Sequence, residues 1–217
     1  MKKTKLKITL LIDNPTSWIA PYAKKIKKML QQRGHQVTYC NSADKIPIGD
    51  YAFFLSCEKI VSKNILRRNK HNLVIHESAL PKGKGWSPLT WQILENRNEI
   101  PITLFEAVDK VDSGPIYLQK IMHFQGNELL DELHKVQGEK TMELVFEFIE
   151  SYPKIKPKKQ SGQKFLYRKR TLEDSELDVN KTIAEHFNLL RVVDNKKYPA
   201  FFNYRGKKYI IKISKVR

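Results

Sequence analysis

Lys5-Leu-Lys-Ile-Thr-Leu-Leu-Ile12 runs into Asp13-Asn14-Pro15-Thr16-Ser17, and from Trp18 to Arg33 the residues Ile19, Tyr22, Ala23, Ile26, Met29 and Leu30 recur at helical spacing. A strand-length apolar run, a turn carrying several capping side chains and an amphipathic helix open a β-α-β unit. Gly34 ends the helix where a left-handed residue is favoured. Gln36 to Cys40 reads as a second strand. Tyr51 to Ser56 reads as a third, almost wholly apolar as a strand covered on both faces must be. Ser62 to Asn69 reads as a short helix and Leu73 to His76 as a fourth strand. This alternation predicts an α/β fold with a doubly wound, mostly parallel, Rossmann-like sheet. Such sheets bind ligands beyond the C-terminal ends of their strands. The stretches to inspect are therefore Asp13–Trp18, Ser56–Val61 and His76–Trp86.

Past Pro88 the rhythm changes. Leu89 to Leu94 reads as a short helix, and Ile100 to Ala107 and Pro115 to Phe124 as two strands joined by the turn at Asp109–Gly114, where Gly114 can take a positive φ. A long amphipathic helix is predicted from Glu128 to about Glu150. Residues 151–164, with Pro153, Pro157 and many lysines, read as a linker. Residues 165–217 read as a small α+β extension: a helix capped by Asp178 or Asn180 and running to Leu190, then a hairpin of Pro199–Tyr204 and Lys207–Ile213 around Arg205-Gly206.

The 217 residues are 41% hydrophobic and carry a formal net charge of +17. That composition excludes wholesale disorder, and the charge admits an anionic partner such as nucleic acid or a phosphorylated small molecule. The basic residues are spread over the chain, from Lys2–Lys7 to Arg205–Arg217, as a solvated surface would also have them. No apolar run approaches the roughly 20 residues of a membrane-spanning helix. The basic N-terminus lacks the apolar stretch of a secretion signal, so a cytoplasmic protein without a membrane partner is expected. Cys40 and Cys57 are too few for a disulfide framework, and no histidine pair has metal-ligand spacing, so no metal is expected.

No glycine fingerprint for dinucleotides follows the first strand, and no nucleophile elbow is present. Chemistry concentrates in two stretches. The first is Asn72-Leu-Val-Ile-His76-Glu-Ser-Ala-Leu-Pro-Lys-Gly-Lys-Gly-Trp-Ser-Pro88, with a histidine at a strand end before a loop rich in glycine and proline. The second is the turn Asp112-Ser113-Gly114, whose carboxylate can orient an imidazole and favour its charged form, or simply face water in an Asx turn.

Taken together, His76-Glu-Ser78-Ala-Leu80-Pro81, Gly83 and Gly85, Pro88, and Asp112-Ser-Gly114 follow the order and spacing of one pattern: His-x-Ser-x-Leu-Pro, a glycine loop with a proline, then Asp-x-Gly. In this the chain resembles the formyltransferase family that uses N10-formyltetrahydrofolate. The wording Lys82-Gly-Lys-Gly-Trp-Ser-Pro-Leu-Thr-Trp91 and the tail from Tyr167 through Arg191 to Tyr198-Pro-Ala-Phe-Phe look like the branch that acts on nucleotide-linked amino sugars, those of pseudaminic-acid-type pathways above all. The resemblance spans nearly the whole chain. It implies a catalytic domain at 1–150 and transfer of a formyl group to the amine of a nucleotide-linked sugar, with a UDP-linked 4-amino-4,6-dideoxy sugar as the closest match.

By the same resemblance His76 and Asp112 are catalytic, and Cys57, Ile60, Val61, Glu106, Val108 and Asp112 face the folate; plain packing is the other reading of Ile60 and Val61. On the sugar-nucleotide side stand Asn14, Ser17 and Trp18 at the first helix, then Lys82, Lys84 and Trp86, then Arg168, Arg170, Tyr198 and Phe201 in the tail. Lys82 and Lys84 are equally readable as surface charge. Trp86 and Trp91 either stack on a ligand or pack, packing being the reading for Trp91. The pattern is broken at one point. The family asparagine two residues before the histidine is Val74 here, and Asn72 lies about 13 Å from His76 along a strand. Ser78 or a bound water is the expected substitute. Two alternatives accompany this reading. One is a tRNA-directed formyltransferase, against which stands the short tail where those enzymes carry a longer C-terminal barrel. The other is a non-catalytic folate or nucleotide-sugar binder. The edge of the tail hairpin offers a surface for a homodimer.

Overall fold

The computed structural model describes residues 4–216; Met1–Lys3 and Arg217, at the outer ends of two of the basic runs, lie outside them. In chain order the described elements are β1 (Lys7–Leu11), α1 (Ala20–Gln32), β2 (Gln36–Cys40), β3 (Gly49–Phe54), α2 (Lys63–Leu66), β4 (Asn69–His76), β5 (Lys84–Gly85) and α3 (Pro88–Leu94). They continue with β6 (Glu99–Glu106), β7 (Ile116–His123), α4 (Leu130–Ser151), β8 (Leu166–Tyr167), α5 (Phe187–Val192), β9 (Ala200–Tyr204) and β10 (Lys207–Ile211). The main sheet has the order β2-β1-β3-β4-β6-β7. The first four strands are parallel, as their apolar runs and helical crossovers require. β6 then returns antiparallel to β4 and pairs with β7 as a hairpin. The expected mostly parallel α/β sheet is therefore what forms.

Alternation along the strands splits the core in two. On one face Ile8, Leu10, Ile12 and Phe53 pack against Ala23, Ile26 and Leu30 of α1 and Leu144, Val145 and Phe148 of α4. On the other face Leu11, Cys40, Ala52, Phe54 and Ile65 form a smaller cluster that Val74 joins. Among the described residues no helix is long and apolar enough to cross a membrane.

Three local readings are corrected. α1 begins at Ala20 rather than Trp18, because Asn14 Oδ1 accepts from Thr16 N and Oγ1 in a turn of its own. The tail helix begins only at Phe187. Asp178 is spent on an Asx turn with Asn180, and Thr182 and Glu185 bond each other reciprocally one turn earlier. Residues 151–164 are not a loose connector. Lys158 exchanges two backbone bonds of 2.7 Å with Ile116, and Tyr152 stacks on Phe148. The tail then returns to the first domain, since β8 pairs in parallel with β5 in the loop after His76. It also has a small core of its own in Leu177, Leu190, Val193 and Ala200.

Candidate active site

β4 ends at the C-terminal edge of the parallel strands, and its last residue, His76, is 7% exposed. His76 Nε2 lies 2.8 Å from the main-chain oxygen of Gly83. A carbonyl oxygen only accepts, so Nε2 carries the proton. Asp112 approaches from the β6–β7 turn, its Oδ2 3.8 Å from the same nitrogen. That oxygen takes the Gly85 N–H at 2.9 Å. The carboxylate thus sits beside the ring at ion-pair rather than hydrogen-bond distance. The two predicted groups meet, and they meet through the glycine loop.

The turn that delivers Asp112 is over-determined. Asp112 itself takes the left-handed conformation, φ 49°. Gly114 does not; it is required instead by close approach, since a Cβ there would lie 1.7 Å from the Glu106 oxygen. Gln160 Nε2 donates to the carbonyls of Asp112 and Gly114 at 3.0 and 2.8 Å. Lys84 Nζ donates to Ser113 Oγ at 2.7 Å from a buried position, where burial lowers its pKa below the usual lysine value. Gly114→Ala is expected to cost about 3 kcal/mol of stability, because the clash is with backbone and cannot rotate away. Thermal denaturation measures it.

In front of His76 opens a cleft of about 1500 Å³. Cys57, Ile60, Val61, Val108 and Val111 line it on one side, with Ile60, Val108 and Val111 exposed as an apolar lip. Ser17, Trp18, the first turn of α4, Lys169, Arg170, Lys196, Lys197 and Tyr198 line it on the other, while Asn14 stays on the Cys57 side, its Nδ2 donating to Glu58 Oε1 at 3.3 Å. Trp18 stacks on His134 with centroids 4.6 Å apart and an interplanar angle of 9°. Burial holds the His134 imidazole down at about 4, so that ring is neutral at pH 7. Trp86 is in the cleft wall beneath the Lys169 ammonium, 4.7 Å away. The Cys57 thiol is pushed up to about 12, by burial first and by the Asp13 carboxylate second, which removes it as a nucleophile.

Five of the predicted site residues do not line this cleft. The Glu106 carboxylate turns away from it and accepts from Asn72 N, Tyr117 Oη and the His71 ring. Lys84 holds the Asp112 turn as described. Lys82 is exposed on a separate groove with Glu95 and Arg97. Arg168 is drawn off by a bidentate pair with Asp174. Phe201 is buried under the Lys208 ammonium. Trp91 packs as expected, parallel to Tyr167 and donating to Arg168 O. Of the expected substitutes for the missing asparagine, Ser78 is not in place. Ser78 Oγ is buried without a partner and outside the cleft, and Asn72 Nδ2 is held by Leu66 O. Val74 presents an apolar wall there. Unanticipated in the cleft are Glu77, His134 and Gln137.

An open α/β sheet with its polar residues gathered in a crevice beyond the strand ends defines a ligand-binding protein of the doubly wound class. The family model described as formyl transferase matches residues 11–148, and the chain belongs to that family. The methionyl-tRNA formyltransferase of Thermotoga maritima is 32% identical over 157 residues, which are 70% of this chain and 48% of that one. The chain spans a third to a half of the length of the curated relatives it matches. Among solved structures, HypX from Aquifex aeolicus in complex with tetrahydrofolic acid superposes with a TM-score of 0.80 at 16% identity, over 97% of this chain and 38% of that one. A 4-N formyltransferase from Francisella tularensis superposes with 0.72 at 17% identity, over 98% of each chain.

Proposed function

We propose that the protein transfers a formyl group from N10-formyltetrahydrofolate to the amine of a nucleotide-linked amino sugar, of the UDP-linked 4-amino-4,6-dideoxy type. The observation that carries this is the His76–Asp112 pair at the floor of a two-sided cleft. Its volume of about 1500 Å³ exceeds the roughly 300–1,000 Å³ of a pocket for one small molecule. The apolar lip of Ile60, Val61, Val108 and Val111 fits a flat heteroaromatic ring, and the folate supplies the formyl carbon when bound. The opposite wall offers what a nucleoside diphosphate needs: the Trp18–His134 stack for a base and Lys169, Arg170, Lys196 and Lys197 for phosphate.

His76 donates a hydrogen bond to the carbonyl oxygen on which charge develops, exchanging the Gly83 carbonyl for it, and later carries a proton from the attacking nitrogen to the leaving one. Asp112, close by but not bonded to the ring, stabilises the imidazolium that this relay creates.

The names of the sequence relatives and the charge of +17 favour a second reading, a tRNA acceptor. One assay separates the two. Purified protein with N10-formyltetrahydrofolate is offered UDP-, dTDP- and GDP-linked 4-amino sugars and, separately, methionyl-tRNA. Formylation of a nucleotide sugar is the expected result. Turnover confined to tRNA, with affinity falling steeply as salt rises, overturns it.

A further inference from the structure

Glu77 occupies the variable position after His76 and is pinned in a way its neighbours are not. Gln137 of α4, itself buried, donates from Nε2 to Glu77 Oε1 at 2.6 Å. Gln92 of α3 donates to the Glu77 main-chain oxygen, also at 2.6 Å. Two neutral amides from two helices thus fix backbone and carboxylate in the cleft wall, next to the catalytic imidazole. Among the described residues no lysine or arginine forms an ion pair with it. The titratable groups that act on it are His76, the last residue of β4, and Asp112 from the β6–β7 turn, the second repulsive. A partly buried carboxylate without a cation is unfavourable, and an ammonium group bound in the cleft would relieve that cost. A carboxylate offers about four acceptor sites, of which Gln137 occupies one.

We infer that Glu77 receives the acceptor substrate: its carboxylate binds the substrate's ammonium group and removes the proton that must leave before the nitrogen can attack. This deepens the formyl-transfer reading and rests on it. An aliphatic amine reaches the cleft at pH 7 largely as R–NH₃⁺, which has no lone pair. Glu77 takes one proton, giving R–NH₂ and a carboxylic acid. The amine nitrogen then forms its bond to the formyl carbon, the carbon–N10 bond breaks with its electron pair on N10, and the second nitrogen proton passes to N10 by way of His76. The proton on Glu77 returns to water when the product leaves. Burial raises the Glu77 carboxyl above the ordinary carboxylate range, against the opposing pull of His76 and Gln137, which makes it a stronger base for this step.

Glu77→Gln tests it, since the amide keeps the shape and can keep the Gln137 contact. Wild type and variant are titrated by calorimetry, without folate, with a UDP-linked 4-amino-4,6-dideoxyhexose and its 4-hydroxy counterpart. The expected result is an affinity loss of about tenfold for the amine and none for the alcohol. In turnover with N10-formyltetrahydrofolate, kcat/KM falls about 10²-fold at pH 7, the scale of a general base, and recovers toward pH 9 as the free amine becomes available. Equal losses for both ligands, or a rate defect that is the same at every pH, assign Glu77 to structure alone and overturn the inference. A wild-type protein that neither binds nor formylates the amino sugar overturns the inference together with the formyl-transfer reading.

Discussion

His76→Ala is expected to lower kcat/KM for formyl transfer by about 10³–10⁴-fold while the protein stays folded. The loss is larger than that of one donor among several, typically 10²–10³. With Val74 at the family's asparagine position and Ser78 Oγ sealed away from the cleft, His76 is the side chain at the floor that can both hydrogen-bond the developing charge and relay the proton. The structural cost is small by comparison. Removing the ring deletes a single bond, to Gly83 O, of the kind worth about 1 kcal/mol net. The glycine loop keeps its other ties, through Gly85 N to Asp112 and through the pairing of β5 with β8. Asp112→Asn separates positioning from charge. Its amide can still accept the Gly85 N–H, so the turn persists, while the imidazolium loses its counter-charge 3.8 Å away. A fall of about 10²-fold in kcat, with KM for the folate little changed, is expected. Steady-state kinetics and a thermal melt on each variant measure this, and a His76→Ala protein within threefold of wild type would remove the histidine from the mechanism.

The sheet was legible because its information is local. Ile8–Ile12 and Tyr51–Leu55 are apolar on both faces, and only a parallel strand between two layers has use for that. The pair His76 and Asp112 was legible because one closes a strand, the other sits in the turn between two strands, and both fall in an ordered pattern. What stayed hidden depends on which helix face meets which strand end. His134 and Gln137 lie off the apolar stripe of the amphipathic helix and carry no signal until its first turns meet Trp18 beyond β1 and Glu77 beyond β4. Glu77 is hidden for the same reason, being one residue just past the end of β4 whose partner is 60 positions away. The displacement of Lys84 and of Arg168 has a common cause. Lys84 and Arg168 carry charge that suits a phosphate, but Ser113 and Asp174 are nearer in space and satisfy them first. The tail reads as an appendage because a linker rich in lysine and proline precedes it; its attachment lies in backbone pairing, which composition does not encode.

That attachment has one point on which much depends. Arg191→Met is expected to lower stability by about 3–5 kcal/mol, the range for breaking a buried pair from one side. For a chain of this length that is a fall in Tm on the order of 10 °C. Arg191 is 1% exposed, and its guanidinium donates to Glu128 O at 3.0 Å, Glu128 Oε2 at 2.9 Å, and both Asn98 and Asn188 at 3.2 Å. It therefore ties α5 to the segment entering α4 and to the loop before β6. Methionine fills the volume but returns none of these bonds. Glu128 still accepts from Gln125 N and Gly126 N, which holds the loss to the lower part of the range. The pH dependence identifies the ion pair. Burial works to raise the Glu128 carboxyl, but the backbone donors and Arg191 outweigh it, and its pKa lies below the ordinary value. A lowered carboxylate stabilises above its unfolded pKa, about 4.3, and that contribution is lost as pH falls through the folded value. The gap in Tm between wild type and Arg191→Met should thus be constant from pH 6 to 8 and narrow below about pH 4. The pair also bears on catalysis, because Asp194–Tyr198, just beyond α5, line the cleft opposite the apolar lip. On the proposed function, loosening α5 should weaken the grip on the proposed nucleotide side and leave the folate side unchanged, so KM for the sugar nucleotide rises while KM for the folate does not. Equal rises in both would mean that the tail supports the whole cleft rather than one wall of it.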